Sequence, residues 1–340
     1  MNPKRYFCTY FDSNYLPRGL ALFRSLQAHC PDFTLWVLCL DEKAHTLLSR
    51  LALPGLEIIA LADFEQGDDE LLQAKASRSL IEYYFTITPS LPLYIFNHWP
   101  EVEQLTYLDA DLYFFANPQP LFDEIGDASI SLISHRFPPD TQQQAHQFGI
   151  YNVGWLTFRQ DENGLACLRR WRGQTIAWCS DTTEKGQFGD QKYLDDWPEI
   201  FANVHIIQHT GANAGPWNLP TYPITRRDGE VFIGNDRLIF FHFQSLKRVR
   251  SWFYNPRFPE QIRTVSGVVR RSIYAPYIRV LLSVDEQLRA FDTTSPAEGI
   301  RINQQIAAAN PRASQLQRAA RLLVGSLRGR YIYWLGNRTL

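Results

Sequence analysis

The run Thr-Leu-Trp-Val-Leu-Cys-Leu at residues 34–40 limits the fold more than any other stretch of this chain. It shows no polar alternation, so the strand it predicts cannot keep one face in water and must be covered on both. Residues 20–29 before it and 43–51 after it read as helices, the first opened by turn residues between Asp12 and Gly19. Further strands are predicted at residues 6–11, 56–61, 128–134, 149–158 and 204–208, and within 106–118. Residues 70–87 read as one helix stopped by Pro89 and Pro92, and residues 165–180 as another. A hairpin is expected around Asp228-Gly229, and a last strand at residues 238–243. Strands alternating with helices predict an α/β domain, a mostly parallel central sheet with helices on both faces. Ligands of such sheets bind at the carboxyl ends of the strands. Asp12 and Asp109 both fall there, although nearly a hundred positions separate them.

Past the last strand, Pro256 and Pro259 mark a linker, which divides the chain into a domain at 1–255 and a basic helical extension at 256–340. In that extension Leu316, Ala320, Leu323 and Leu327 share one helical face, with Arg318, Arg321 and Arg328 opposite. Residues 246–340 hold 16 Lys or Arg against 5 Asp or Glu, whereas the whole chain has 34 against 35. An acidic body with a basic, aromatic-ended tail is expected to meet something anionic, and the inner face of a membrane fits best. No nucleic-acid reader motif accompanies the charge. Five cysteines without metal-ligand spacing are expected to be buried thiols of a reducing compartment. Met1-Asn2-Pro3-Lys4-Arg5 leads directly into a strand, and no apolar run approaches the roughly 18 residues of a membrane span. A cytoplasmic protein is expected.

The chemistry concentrates at residues 106–118, where Asp109 and Asp111 interrupt an apolar and aromatic run. Buried aspartates are rare unless paired or holding a cation. In extended backbone, residues i and i+2 share a face, so the two carboxylates can converge on a hard divalent ion, Mg2+ or Mn2+. Such an ion takes its remaining ligands from substrate phosphates. The plain alternative is a strand-end turn in which both aspartates cap backbone groups.

Several stretches in order, Asp12-Ser13-Asn14-Tyr15, Tyr107-Leu108-Asp109-Ala110-Asp111, Tyr151-Asn152-Val153-Gly154, Phe188-Gly189-Asp190-Gln191 and His242, resemble nucleotide-sugar glycosyltransferases of the GT-A fold. The closest likeness is to retaining family-8 enzymes such as glycogenin and lipooligosaccharide galactosyltransferases. The chain looks still more like a bacterial group of nucleotide-diphospho-sugar transferases associated with surface-polysaccharide clusters. The resemblance covers about residues 5–252 and leaves the tail outside. It implies donor contacts from Thr9, Tyr10, Phe11, Asp12 and Tyr15 at the nucleobase, from Arg78 (with Lys75 an equal candidate) at the diphosphate or sugar, and from Ala110 beside the metal motif. It implies a metal, Mn2+ or Mg2+, on Asp109, Asp111 and His242. Asn152 and Asp190 would hold the donor sugar, with the Gln191 amide by the anomeric carbon. The family pattern His-x-x-Gly-x-x-Lys-Pro-Trp survives only as His242-Phe243-Gln244-Ser245-Leu246-Lys247-Arg248, which leaves Lys247 or Arg248 to meet the phosphate. His135, Arg136, Trp217 and Asn218 are candidates for the acceptor side.

The implied reaction moves a sugar from a nucleotide-diphosphate donor, a UDP-sugar favoured, to a glycan or lipid-linked glycan. No strong base stands out beside Gln191, which favours front-face attack with retention. A base such as Asp195 or Asp196 on the opposite face would instead give inversion. A nucleotidyltransferase would want a Gly-rich phosphate loop after the first strand, which Phe11-Asp12-Ser13-Asn14-Tyr15 lacks. A non-catalytic nucleotide-sugar binder is the remaining rival.

Overall fold

The computed structural model describes residues 3–183, 186–260, 262, 264–291, 326, 330–335 and 338–339. Alternation along two strands decides its layers. β1 (Arg5–Phe11) turns Phe7 to one side of the sheet and Cys8 to the other, and β2 (Phe33–Cys39) divides Leu35 and Val37 from Trp36 and Leu38 in the same way. Successive side chains of a strand point to opposite faces, so both faces are apolar and both need cover. α1 (Leu16–His29) and α2 (Glu42–Leu51) close the first face. After β3 (Leu56–Ala60), α3 (Leu61–Glu65), α4 (Asp69–Ser77), α5 (Leu80–Ile87) and α6 (Ser90–His98) close the second.

β4 (Gln104–Leu108) pairs parallel to β1, and the chain then makes a short second strand, β5 (Leu112–Phe114). α7 (Gln119–Ile125) returns to the first face, followed by β6 (Ile130–Ile133), α8 (Gln144–Phe148) and β7 (Trp155–Arg159). α9 (Glu162–Ala177) and α10 (Trp197–Ile200) pack on the second face, and β8 (Val204–Ile207) completes the sheet. Its seven strands run in the order β3-β2-β1-β4-β7-β6-β8. Only β7 is antiparallel to its neighbours, so the sheet is mostly parallel, as expected.

A hairpin of β9 (Ile224–Arg227) and β10 (Glu230–Ile233) turns at Asp228-Gly229, and β11 (Asp236–Arg237) pairs with β10. β12 (Phe240–His242) then lies antiparallel on β5. β13 (Lys247–Arg250) and β14 (Phe253–Asn255) begin a four-stranded sheet. A π-helical segment, Val269–Tyr274, runs into α11 (Ala275–Phe291). Val284 and Leu288 of α11 join the core formed by α1 and α2, so this helix belongs to the body's packing. β15 (Ile332–Leu335) pairs with β14, and β16 (Arg338–Thr339) with β15. The aromatic end of the tail therefore faces the protein's own strands: Ile332 is fully buried and Tyr333 stacks on Trp252 with ring centres 6.1 Å apart. The amphipathic stretch at 316–328 lies outside the described residues apart from Ser326. All five cysteines are buried and unpaired.

Local chemistry corrects three expectations. Residues 70–87 form two helices, because Ser79 caps α5 in a reciprocal capping box with Glu82 while Arg78 is extended. The helix does end at Ile87 before Pro89, as expected, but Pro89 and Pro92 also open a further helix, α6, since proline's missing N–H costs nothing in a first turn. α1 begins at Leu16, four residues early, with Pro17 in its first turn. At Gly19 a Cβ would lie 2.1 Å from the Phe11 ring. The glycine lets α1 cross the end of β1 at close range, and this seats the Asp12–Tyr15 loop at the mouth of the sheet.

Candidate active site

At the carboxyl ends of β1 and β4 the structure holds a cavity of about 750 Å³. Asp109, Ala110 and Asp111 occupy its floor, in a turn and not in the extended run expected from the sequence. β4 ends at Leu108, the Leu112 N–H donates back to the Asp109 carbonyl at 3.1 Å, and β5 starts at Leu112. The two carboxylates converge because the turn folds the chain on itself, not because the pleat alternates. The Asp109 N–H donates to the Gly154 carbonyl at 3.1 Å, which ties the turn to the entry of β7.

The third member comes from the far end of the chain. In the β5–β12 register His242 lies opposite Leu112, one residue past Asp111, and the Phe243 N–H donates to the Asp111 carbonyl at 2.9 Å. His242 Nε2 is 3.0 Å from Asp111 and 3.5 Å from Asp109. Ligand atoms of all three residues lie within 4.8 Å of one another. Tyr107 holds the other Asp109 oxygen with a 3.0 Å hydrogen bond from its hydroxyl. Burial raises the Asp109 carboxyl above the usual carboxylate range, and Asp111 adds to this against the pull of His242. Burial opposes ionisation of Asp111 too, but His242 and Arg18 hold its carboxyl below that range. The imidazole in turn is raised by the two aspartates against its own burial. Two carboxylate oxygens and one imidazole nitrogen aimed at one point are the donor set of a divalent cation.

Gly154 presses on this cluster: a Cβ there would lie 2.6 Å from Asn152 Oδ1 and 2.9 Å from His242 Nδ1. Gly154→Ala is expected to turn the imidazole and weaken Mn2+ binding about tenfold or more, as displaced ligand supports do, with the fold retained. Calorimetric Mn2+ titration checks it.

Asn152, Asp190 and Gln191 line the same cavity. The Gln191 carbonyl accepts from Asn152 Nδ2 and the Val153 N–H, each at 3.3 Å, and its amide donates to the Phe148 carbonyl at 2.8 Å. Burial, opposed by a hydrogen bond from Thr88 and increased by Asp109, pushes the Asp190 carboxyl up to about 7. At the other end Tyr10, Phe11, Asp12 and Tyr15 line the wall, while Thr9 is fully buried behind them. Asp12 closes its own turn: Oδ1 accepts from the N–H of Asn14 at 2.9 Å and of Tyr15 at 3.0 Å, and Oδ2 from the Asn14 amide at 2.9 Å. Asp41 pins the loop by accepting from the Ser13 N–H at 2.9 Å.

Several expected residues lie elsewhere. Arg78 donates to the carbonyls of Thr175 (2.6 Å) and Ile176 (2.5 Å) at the end of α9, outside the cavity lining. Lys75 pairs with Glu65 at 2.7 Å. Arg248 is consumed by Asp285 at 2.6 Å in a buried ion pair, and Lys247 stands just outside the lining. The acceptor-side group forms a scaffold: Trp217 Nε1 (2.8 Å) and Asn218 Nδ2 (2.9 Å) both donate to the His135 carbonyl, and Arg136 donates to the carbonyls of His209 and Ala212. Burial pushes His135 down to about 3, leaving a neutral ring whose Nε2 accepts from Asn152 at 3.1 Å. His135 thus positions Asn152. Trp217 sets its indole edge against His242, ring centres 5.3 Å apart.

Arg18 was not singled out in the sequence. It lines the cavity, is buried, donates to the Leu246 carbonyl at 2.6 Å and stacks over Tyr15 at 4.6 Å. A lone arginine within the apolar run Leu16-Pro17-Arg18-Gly19-Leu20-Ala21-Leu22-Phe23 was the available signal. Asp285 and Arg289 of α11 also reach the cavity, with no local signal at all.

No family model matches this chain. Over 289 residues it is 32% identical to the uncharacterised protein YfnD of Bacillus subtilis (strain 168), covering 84% of this chain and 92% of YfnD. It is 33% identical over 250 residues to the uncharacterised YfnF of the same organism, covering 72% of this chain and 82% of YfnF. The crystal structure of the galactosyltransferase LgtC, in complex with donor and acceptor sugar analogues, matches 87% of this chain and 98% of its own with a TM-score of 0.53 at 16% identity. The chain belongs to the family of YfnD and YfnF and is built on the GT-A fold seen in LgtC.

Proposed function

We propose that the protein is a glycosyltransferase that moves a sugar from a nucleotide-diphosphate donor, a UDP-sugar favoured, to a glycan or lipid-linked glycan of the bacterial surface, with retention. The observation that carries this is the convergence of Asp109, Asp111 and His242 on the floor of a cavity that Asp190 and Gln191 also line. Mn2+ or Mg2+ fits these three residues, and such an ion, when bound, supplies positive charge to a departing diphosphate. Arg18 adds a fixed guanidinium on the same wall, held by the Leu246 carbonyl. Tyr10 and Tyr84, half-buried in the cavity lining, are aromatic rings available to a nucleobase. Gln191, locked on both sides of its amide, presents a rigid edge beside Asp190 for the donor sugar.

Retention is supported by where the other acids are held. Asp195 accepts from Lys192 at 2.6 Å and from the Ile150 N–H at 2.7 Å, and Asp196 pairs with Arg170 at 3.3 Å. Neither lines the cavity, so neither stands ready as a base for attack from the opposite face.

Incubation with a panel of nucleotide sugars and Mn2+ tests the reading. Release of free nucleotide from one donor is expected; binding of every donor without turnover would identify a carrier instead. Arg18→Gln is expected to weaken UDP binding about 30-fold, the roughly 2 kcal/mol of a truncated buried charge contact, while uridine affinity stays unchanged. Calorimetry with both ligands reads the difference.

The basic surplus after Leu246 supports peripheral contact with an anionic inner membrane at a cytoplasmic site. Because α11 is part of the core, the charge is tested by Arg318, Arg321 and Arg328 to Gln rather than by truncation. Unchanged pelleting with anionic liposomes would defeat it.

A further inference from the structure

A second hollow of about 360 Å³ lies beside the main cavity and shares Gln244 with it. Pro216, Trp217, Ser245, Arg257 and Pro259 form the rest of its wall. Trp217 separates it from His242, so whatever occupies it sits one indole away from the proposed metal site. Two non-glycine residues of this wall, Ser245 (φ 60°) and Arg257 (φ 54°), hold left-handed backbone. That conformation costs free energy for a residue with a side chain and concentrates at ligand sites. Asn255 keeps Arg257 in it by accepting its N–H at 2.9 Å.

The electrostatics of the hollow are one-sided. Arg257 is exposed, and among the described residues neither it nor Lys247 has a carboxylate partner. Burial lowers the Lys247 ammonium, and Arg257 and Arg18 lower it further by repulsion. Lys247 therefore lies within Coulomb reach of both arginines, and such a grouping favours an anion beside it. Arg18 already faces the main cavity, so Arg257 is the charge left for the hollow. The rest of the wall suits a sugar: an indole edge for ring carbons, with the Gln244 amide and Ser245 hydroxyl for hydroxyl groups.

We propose that this hollow receives the acceptor and selects one carrying an acidic group, a sugar carboxylate or phosphate, which pairs with Arg257. The proposal rests on the transferase reading, and its test separates the two. Full-length protein with UDP and Mn2+ is titrated by ligand-observed NMR with methyl glucuronide, galactose 6-phosphate, methyl glucoside, methyl galactoside and inorganic phosphate. The wild type, Arg257→Gln and Arg257→Lys are compared, and the sugar arms are repeated without nucleotide. An acidic sugar is expected to bind about threefold to fivefold tighter than its neutral counterpart, the effect of one solvent-exposed charge pair. Arg257→Gln should remove that preference, Arg257→Lys should keep most of it, and UDP affinity should be the same in all three proteins.

Equal binding of acidic and neutral sugars, or no binding by any sugar, would overturn the proposal. So would a preference that survives Arg257→Gln, or inorganic phosphate binding as tightly as the acidic sugars. A parallel loss of UDP affinity in Arg257→Gln would move the arginine to the donor and overturn it too. Failure of the wild type to bind UDP would instead strike the transferase reading, while the nucleotide-free arms still judge the hollow.

Discussion

Asp109→Ala and Asp111→Ala are each expected to lower sugar transfer by at least about a thousandfold while the protein remains folded. The magnitude follows from what is lost. A single fixed group that stabilises developing charge in a water-poor site contributes roughly 100- to 1,000-fold, and here the change also removes a ligand from a three-residue donor set. Folding should survive, because Asp109 is a half-buried carboxylate whose charge burial and Asp111 already disfavour, and because Asp111→Ala still leaves His242 with Asp109 as a partner at 3.5 Å. Thermal melting without metal should be unchanged or raised in Asp109→Ala and lowered in Asp111→Ala, whose carboxyl His242 and Arg18 stabilise in the folded protein. Nucleotide release under saturating donor and Mn2+ measures the activity, and Mn2+ titration measures the site. Near-normal turnover in both variants would end the assignment of the Asp109-Ala110-Asp111 turn to catalysis.

The second large effect is on stability. Arg248 of β13 and Asp285 of α11 meet at 2.6 Å with side chains 8% and 10% exposed. Removing one partner of such a pair leaves the other charge buried without compensation, which costs about 3–5 kcal/mol. Asp285→Ala is expected to destabilise the protein by that amount, read from the urea midpoint at constant slope. Replacing both residues, Arg248→Met with Asp285→Leu, should recover most of the loss, because the penalty belongs to the orphaned charge and not to the missing attraction. The experiment also tests how α11 is joined to the body. If the helix were an independent appendage, Asp285→Ala would leave the main transition in place.

The fold was legible where pattern and propensity agree. The apolar runs in β1 and β2 and the helices beside them, α1 and α2, follow from pattern and turn residues, whereas α3 and α6 were not expected. The antiparallel β7 did not show, since strand direction leaves no mark on a single strand's composition. Helix breaks were read poorly for a related reason: Ser79 and Glu82 look like ordinary surface residues until the reciprocal cap is seen, and Pro89 reads as a stop although it can equally open a helix.

Residue chemistry named the two aspartates, because paired polar groups in an apolar run stand out by type, whereas His242, Asp190 and Gln191 came only from the resemblance to family-8 glycosyltransferases. It misplaced those whose surroundings decide their use. Arg78, Arg248 and Arg136 are cations with the charge a phosphate needs, but backbone carbonyls and Asp285 already hold them. Arg18, marked in the sequence only by its apolar neighbours, lines the cavity.

The chain's order of residues thus determined by itself the layered α/β class, the acid pair and its chemistry, since periodicity and side-chain type are local properties. Tertiary structure decided which groups meet. The β5–β12 pairing carries His242 across some 130 positions to Asp111, and the packing of α11 removes one arginine from the site, because such distances depend on how distant segments are brought into register and not on what either segment contains.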